Sequence, residues 1–467
     1  MVFNSLEFAV FLAIVLILYF GVVPASLERV RKLVLLIASY VFYASWNPSF
    51  TLLLFGSTIL DYSLGLRMAN EQSPLRRRWL LGLSLLGNLG VLGFFKYGGF
   101  LREQFQSLAV LFGMGDPIQQ PWNIVLPVGI SFYTFQTLSY SIDVYRGVQP
   151  PTRSLLDFAL FVSFFPQLVA GPIVRSKEFL PQLEGLKQVR PDDVEEGLVR
   201  IFAGLLKKVV LADTLGEYVD EVFASVFSYQ GPNLLLAIYA YAFQIYFDFS
   251  GYSDLAIGLA QLFGFRISDN FNRPYLATSP REFWQRWHIS LSTWLRDYLY
   301  ISLGGNRGTT LRTYVNLALT MLLGGLWHGA SWNFVIWGAF HGTWLAAHRF
   351  WTGGRSEAST RWLWLKRFAT FHVVCVGWVF FRAETLEKAL LVFSRLPSWE
   401  WISESFASVA AVLLAISITL HLSGDPRRLR RRYRELPASL QGLGYGLIAV
   451  LVFLFSPSEG RFIYFQF

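Results

Sequence analysis

The chain has 467 residues, 54% of them hydrophobic and only 15% charged, with 40 Lys and Arg against 31 Asp and Glu for a net charge of +9. A soluble protein of this length could not hide so much apolar surface, and the same composition excludes disorder, collagen and long coiled coils. One cysteine, Cys375, excludes internal disulfides and cysteine-cluster zinc sites, and the excess arginines sit in short runs between apolar stretches rather than on a basic, aromatic-studded surface, which argues against nucleic acid as a partner.

A helix that crosses a bilayer needs about 20 mostly apolar residues. The first candidate is 6–23, read as a mature helix because no basic run precedes it and no small-residue cleavage site follows. Residues 33–46 and 50–66 come next, joined by an Asn47-Pro48 turn and short enough for one to be tilted or re-entrant. Further stretches are 79–95, 124–140, 155–174 and 233–247, then 314–326, 332–349, 368–381, 407–420 and 440–455. The expected fold is all-α: a polytopic membrane protein with about 11–12 membrane segments, plus interfacial or re-entrant helices around a central tunnel. One domain over 1–467 is expected, since no linker or repeat interrupts it. Pro127-Val128-Gly129 and Asp248 to Gly251 are expected helix breaks covered by protein or water. The charged, amphipathic segment 190–226 is expected to lie along the surface. Basic runs at Arg29 to Lys32, Arg67 to Arg78 and Arg427 to Arg434 are assigned to the cytoplasm, which puts both termini outside.

Familiar catalytic signatures are missing: the sequence contains no GxxxxGK[ST], GxSxG or HExxH. The glycines Gly442, Gly444 and Gly446 lie in an apolar helix and are read as close helix packing. Of six histidines, two have unusual settings. Residues 281–303 read as an interfacial amphipathic helix, capped by Ser279 or Thr278, with Trp284, Trp287, His288, Leu291 and Trp294 on one stripe. That places His288 on the buried side, where a hydrogen-bonded core histidine is the simpler reading. His328 ends a strongly apolar run among glycines, within the pair of helices at 314–349. An ionisable group at bilayer depth is a functional candidate by default, and the glycines let a substrate or another backbone approach. A buried neutral imidazole is a good general base toward a hydroxyl attacking an acyl carbonyl. His341 is a weaker candidate; with His348 it makes a poor metal pair, and no metal is expected. Asp248, Ser250, Tyr252, Ser253 and Asp254 form a polar cluster that fits cavity lining and helix-break satisfaction equally well.

The runs Glu282-Phe283-Trp284-Gln285-Arg286-Trp287-His288-Ile289-Ser290, Leu303-Gly304-Gly305-Asn306-Arg307 and Gly325-Leu326-Trp327-His328-Gly329 resemble the membrane-bound O-acyltransferase (MBOAT) family, in its alginate O-acetylation branch. The resemblance implies that His328 is the catalytic histidine. His288 matches a second family histidine that is Asn or Asp in some branches. It implies an acetyltransferase in the inner membrane that moves acetyl from cytoplasmic acetyl-CoA, a substrate rather than a bound cofactor, toward an exported, alginate-like polysaccharide. Periplasmic acetyl-transfer proteins are the implied partners. On this reading Trp287 and Trp327 shape the tunnel, Arg286 and Arg296 meet the coenzyme A phosphates or make salt bridges, and Asp248 and Ser250 contact substrate. Acyl transfer from a carrier protein, and a non-catalytic transporter or scaffold, are the competing readings.

Overall fold

Apolar stretches that find no water must satisfy their own amides, and here they resolve into helices. The computed structural model describes residues 1–113, 124–185, 188–353, 362–400 and 405–456, and no strand occurs among them. The backbone packs as two compact units, Met1–Gln188 with Gly264–Ile267, and Val189–Phe263 with Ser268–Phe467.

The first unit holds α1 (Leu6–Leu16, continued by a π-turn to Val22), α2 (Glu28–Ala44), α3 (Thr51–Asn70), α4 (Pro74–Leu111), α5 (Ile130–Arg146), α6 (Leu155–Ser163), α7 (Phe165–Leu168) and α8 (Ser176–Leu183). The expected break at Pro127-Val128-Gly129 is present. Gly129 has φ +76 at the start of α5, and a β-carbon there would stand 2.6 Å from the Leu168 carbonyl oxygen, so only glycine fits. At the junction of α3, α4 and α5, Asp61 is fully buried. It accepts from Ser84 Oγ, from Asn88 Nδ2 at 2.7 Å and from Ser141 Oγ at 2.8 Å. Asp61→Ala leaves these donors without their acceptor. It is expected to destabilise the protein by about 2–3 kcal/mol, against about 1 kcal/mol for Ser141→Ala, read as the fall in Tm of the detergent-solubilised protein.

The second unit holds α9 (Pro191–Leu205), α10 (Thr214–Ala224), α11 (Gly231–Leu262), α12 (Pro280–Arg286), α13 (Ile289–Trp294), α14 (Thr310–His328), α15 (Trp332–Thr352), α16 (Leu363–Arg382), α17 (Leu386–Arg395), α18 (Ser405–Leu422), α19 (Pro426–Arg434) and α20 (Ala438–Phe455). Helix α11 is its axis: from Ala237 onward nearly every residue is buried.

Two expectations about this unit are corrected. The chain does not break at Asp248 to Gly251; α11 runs through it. Nor does 190–226 lie along the surface: α9 and the π-turn after it (Leu206–Asp213) pack on α11 and bury Arg200, Lys208, Val209 and Leu211. Both corrections have one cause. Gly204 faces Gly251, and Gly197 faces Gly258, so closely that a β-carbon on Gly204 or on Gly197 would stand 2.7 and 2.9 Å from the opposing carbonyl oxygen. The glycines are spent on helix contact rather than on a bend. The expectation for Gly442, Gly444 and Gly446 holds only for Gly444, which abuts Tyr433; nothing lies within 4 Å of the other two.

By length and hydropathy, five described helices can cross a membrane: Pro48–Asn70, Pro74–Leu111, Gly231–Leu262, Leu363–Arg382 and Ala438–Phe455. A sixth is added if Ala407–Leu422 and Pro426–Arg434, bent by 87°, form one broken span. The other apolar stretches fold as shorter or more polar helices. Residues 155–174, for example, are divided into α6, α7, which begins at Phe165-Pro166, and an irregular tail that contains Gly171.

Candidate active site

Every residue singled out from the sequence as a site candidate lies in the second unit. Helices α14 and α15 form a hairpin through Gly329 to Ser331, with His328 as the last residue of α14. A β-carbon on Gly325 would strike the Phe334 carbonyl oxygen, one on Gly338 would stand 2.5 Å from the Met321 carbonyl oxygen, and one on Gly329 would strike the Phe334 ring. Two of the glycines beside His328, Gly325 and Gly329, therefore admit the neighbouring helix. Gly324 is the one that borders open space, since it lines the cavity at His328.

His328 is 5% exposed. Its ring is edge-on to Trp327, Trp337 and Phe381 at centroid distances of 5.1, 5.2 and 5.2 Å. On its open side it borders a cavity of about 350 Å³ whose wall is mainly apolar, including Trp284, Leu291, Leu295, Met321 and Trp337. Arg281, Gln285, Ser292, Thr293, Arg296 and Thr320 are among its polar groups. Such a partly open apolar cavity has room for an acyl group and presents one imidazole to it, which is what proton abstraction from an attacking hydroxyl needs.

The expected continuous helix over 281–303 is absent. Ser279 caps α12 as expected, accepting from Glu282 N at 3.2 Å, while Thr278 Oγ1 donates to Glu282 Oε2 at 2.7 Å. Burial alone would raise the Glu282 carboxyl, but hydrogen bonds from Thr278 and Arg286 hold it below the usual range. After Arg286 the chain leaves the helix: Trp287 is extended and His288 is left-handed at φ 42. The cause is Asn270. Its carbonyl accepts from Ile289 N at 2.9 Å and its Oδ1 from Ser290 N at 3.1 Å, replacing the bonds a continuous helix would make. A new helix, α13, then starts and passes into a π-turn (Leu295–Tyr300).

His288 is fully buried. Its Nδ1 is 3.3 Å from Asn270 Oδ1, and its ring is edge-on to Phe249 at 4.6 Å. Burial pushes its imidazole well below the ordinary histidine range, so it is neutral. The Trp327 ring is 6.0 Å from that of His288 and 5.1 Å from that of His328, so it links the two.

The remaining candidates divide. Trp287 is buried against Phe271, Phe283 and Trp378 and does not line the cavity. Arg286 is tied to Glu282 Oε1 at 2.7 Å and to the Asn272 carbonyl at 3.1 Å. Arg296 does border the cavity while pairing with Asp297 at 2.6 Å. Asp248 is buried in an ion pair with Lys208 at 2.6 Å. Ser250 lines a separate polar pocket with Ser253 and Asn270. His341 is fully buried in an aromatic cage with Phe283, Trp284 and Trp337, and His372 accepts or donates to Tyr239 Oη at 2.7 Å. Asn270 and Trp337 carry no mark in the sequence, and Trp284 stands out only as a member of the 281–303 stripe. Asn270 acts through partners 18 to 20 residues away, and the two tryptophans look like ordinary stripe residues.

A multi-helix chain with a buried imidazole at the end of an apolar chamber has the form of a membrane acyl-transfer enzyme. The model of the MBOAT family, membrane-bound O-acyltransferases, matches residues 57–386, and the chain belongs to that family. It is a multi-pass membrane protein and an O-acyltransferase. It is 50% identical over 404 residues to the probable alginate O-acetylase AlgI of Pseudomonas aeruginosa, covering 85% of this chain and 75% of that protein. The probable alginate O-acetylase AlgI of Azotobacter vinelandii is 48% identical over 407 residues, covering 86% of this chain and 79% of that protein. That of Pseudomonas putida is 45% identical over 440 residues, covering 93% and 89%.

Proposed function

We propose that this chain takes an acetyl group from acetyl-CoA on the cytoplasmic side and delivers it to a hydroxyl on the outer side, for O-acetylation of an exported, alginate-like polysaccharide. The observation that carries the reading is the His328 imidazole bordering a mainly apolar cavity of about 350 Å³; the names of the similar proteins support the acetyl group and the polymer. The acceptor oxygen bonds to the acetyl carbonyl carbon as the carbon–sulfur bond breaks. The hydroxyl proton passes to His328 and from it to the departing thiolate, leaving an ester and a free thiol. His288, neutral and held by Asn270, orients Trp327 and the donor side of the site. Arg296 contacts the donor at the cavity edge. Arg286, tied to Glu282, fastens the end of α12, and Trp287 and Asp248 support the site through packing and an ion pair. The acceptor is the polymer itself or a periplasmic protein that carries acetyl onward.

Membranes containing the chain, given acetyl-labelled coenzyme A with alginate and periplasmic extract, are expected to place label in alkali-labile esters. Label released only from an acyl carrier protein, or recovered only in peptidoglycan, would overturn the donor or the acceptor respectively.

A further inference from the structure

Besides the mainly apolar cavity at His328, the second unit holds a small polar one. This pocket is lined by Lys207, Ser250, Asn270, Arg427 and Arg430, together with three carboxylates. Each carboxylate is already engaged. Asp254 is held by Lys207 at 2.6 Å and by Arg200 at 3.3 Å; Asp269 by Arg200 at 2.8 Å and by Arg427 at 2.7 Å. Asp425 caps α19, accepting from Arg427 N at 3.0 Å. None of these pairs includes Arg430, whose Nε is buried with no hydrogen-bond partner among the described residues. Asp254, Asp269 and Glu196 attract the half-buried Arg430 guanidinium without pairing with it, and burial and Arg200 oppose its charge, so its unpartnered Nε is open to a further anion. Planar, multi-donor guanidinium beside an ammonium, hydroxyls and an amide is phosphate-binding chemistry.

We infer that the pocket under the α18–α19 bend binds a phosphate group of an organic phosphate, with Arg430 as its principal ligand. The inference rests on the acyl-transfer reading for its source, the phosphates of a coenzyme A donor. The pocket is joined to that chemistry through Asn270, which lines it and whose Oδ1 faces His288 Nδ1 at 3.3 Å. Assigning the arginine-rich α19 to the cytoplasm puts the pocket on the donor's side. Arg427 and Arg430 lie beyond residues 57–386 matched by the family model, while most of the pocket's lining lies within them. An anionic lipid headgroup offers the same chemistry from a second source.

The test is binding, independent of turnover. Purified full-length protein in nanodiscs is titrated with coenzyme A, with pyrophosphate as competitor, in the wild type, Arg430→Gln, Arg430→Lys and His328→Ala. Arg430→Gln is expected to weaken coenzyme A and pyrophosphate binding by about tenfold or more, Arg430→Lys to restore part of it, and His328→Ala to bind as the wild type does. If coenzyme A binding is unchanged but retention of phosphatidylglycerol over phosphatidylcholine falls in Arg430→Gln, the phosphate site stands with lipid as its source. Equal binding of coenzyme A, pyrophosphate and phosphatidylglycerol by wild type and Arg430→Gln, with matching Tm, overturns the inference. Binding that is intact while His328→Ala still transfers acetyl would instead overturn the role of His328 and leave the pocket standing.

Discussion

His328→Ala is expected to lower acetyl transfer by about 10²–10⁴-fold, the usual contribution of a positioned general base, with no matching loss of folded protein. The imidazole ends α14 and borders the cavity, so its removal enlarges a space that already exists rather than opening a sealed core. No other histidine replaces it. His288 is turned toward Asn270 with Trp327 between the two rings, and His341 is separated from His328 by Trp337. The measurement is the initial rate of ester formation in membranes, normalised to immunodetected protein, with labelled acetyl-CoA. A rate within threefold of the wild type would remove His328 from the chemistry.

The second large effect is expected from a residue with no chemistry at all. Gly325→Val places a branched side chain against the Phe334 carbonyl oxygen and the backbone of Gly338, about 3.1 Å from its Cα. The contact is backbone to backbone, so no side chain can swing aside. Helices α14 and α15 must separate, at a cost of about 3 kcal/mol, and His328 moves with them. A fall in Tm and a loss of activity exceeding the loss of folded protein are expected. Gly442→Ala, with nothing within 4 Å of the site, is the matched control and should change stability by less than about 0.5 kcal/mol. Equal stability and activity in Gly325→Val and the control would show that the tight α14–α15 crossing does not position the histidine.

The helical architecture was legible because an apolar chain in a bilayer has few other ways to satisfy its amides. His328 was legible for a related reason: an ionisable side chain ending an apolar run stands out by itself. The break at His288 was not. Trp284, Trp287, His288 and Leu291 fit a helical stripe, and the amide partners that end the helix come from Asn270, distant in sequence. Gly251 misled in the opposite sense: a glycine beside polar residues reads as a bend, whereas here it makes room for Gly204. Charge pairing was the least visible feature. The partners of Arg286 and Arg296 are four residues and one residue away, and sequence alone does not decide between such neighbours and a ligand. The pairs around Asp254 and Asp269 span 47 to 158 residues.

The left-handed backbone at His288 has a consequence for which amino acids this position tolerates. Among residues with a side chain, Asn and Asp enter that conformation most readily, and β-branched residues hardly at all. The resemblance to the family implies Asn or Asp here in some branches, the two alternatives the local geometry favours. Natural variation at this place would then be screened by torsion before it is screened by reactivity: an isoleucine would be rejected by the main chain, whereas a glycine would relax the turn and silence it.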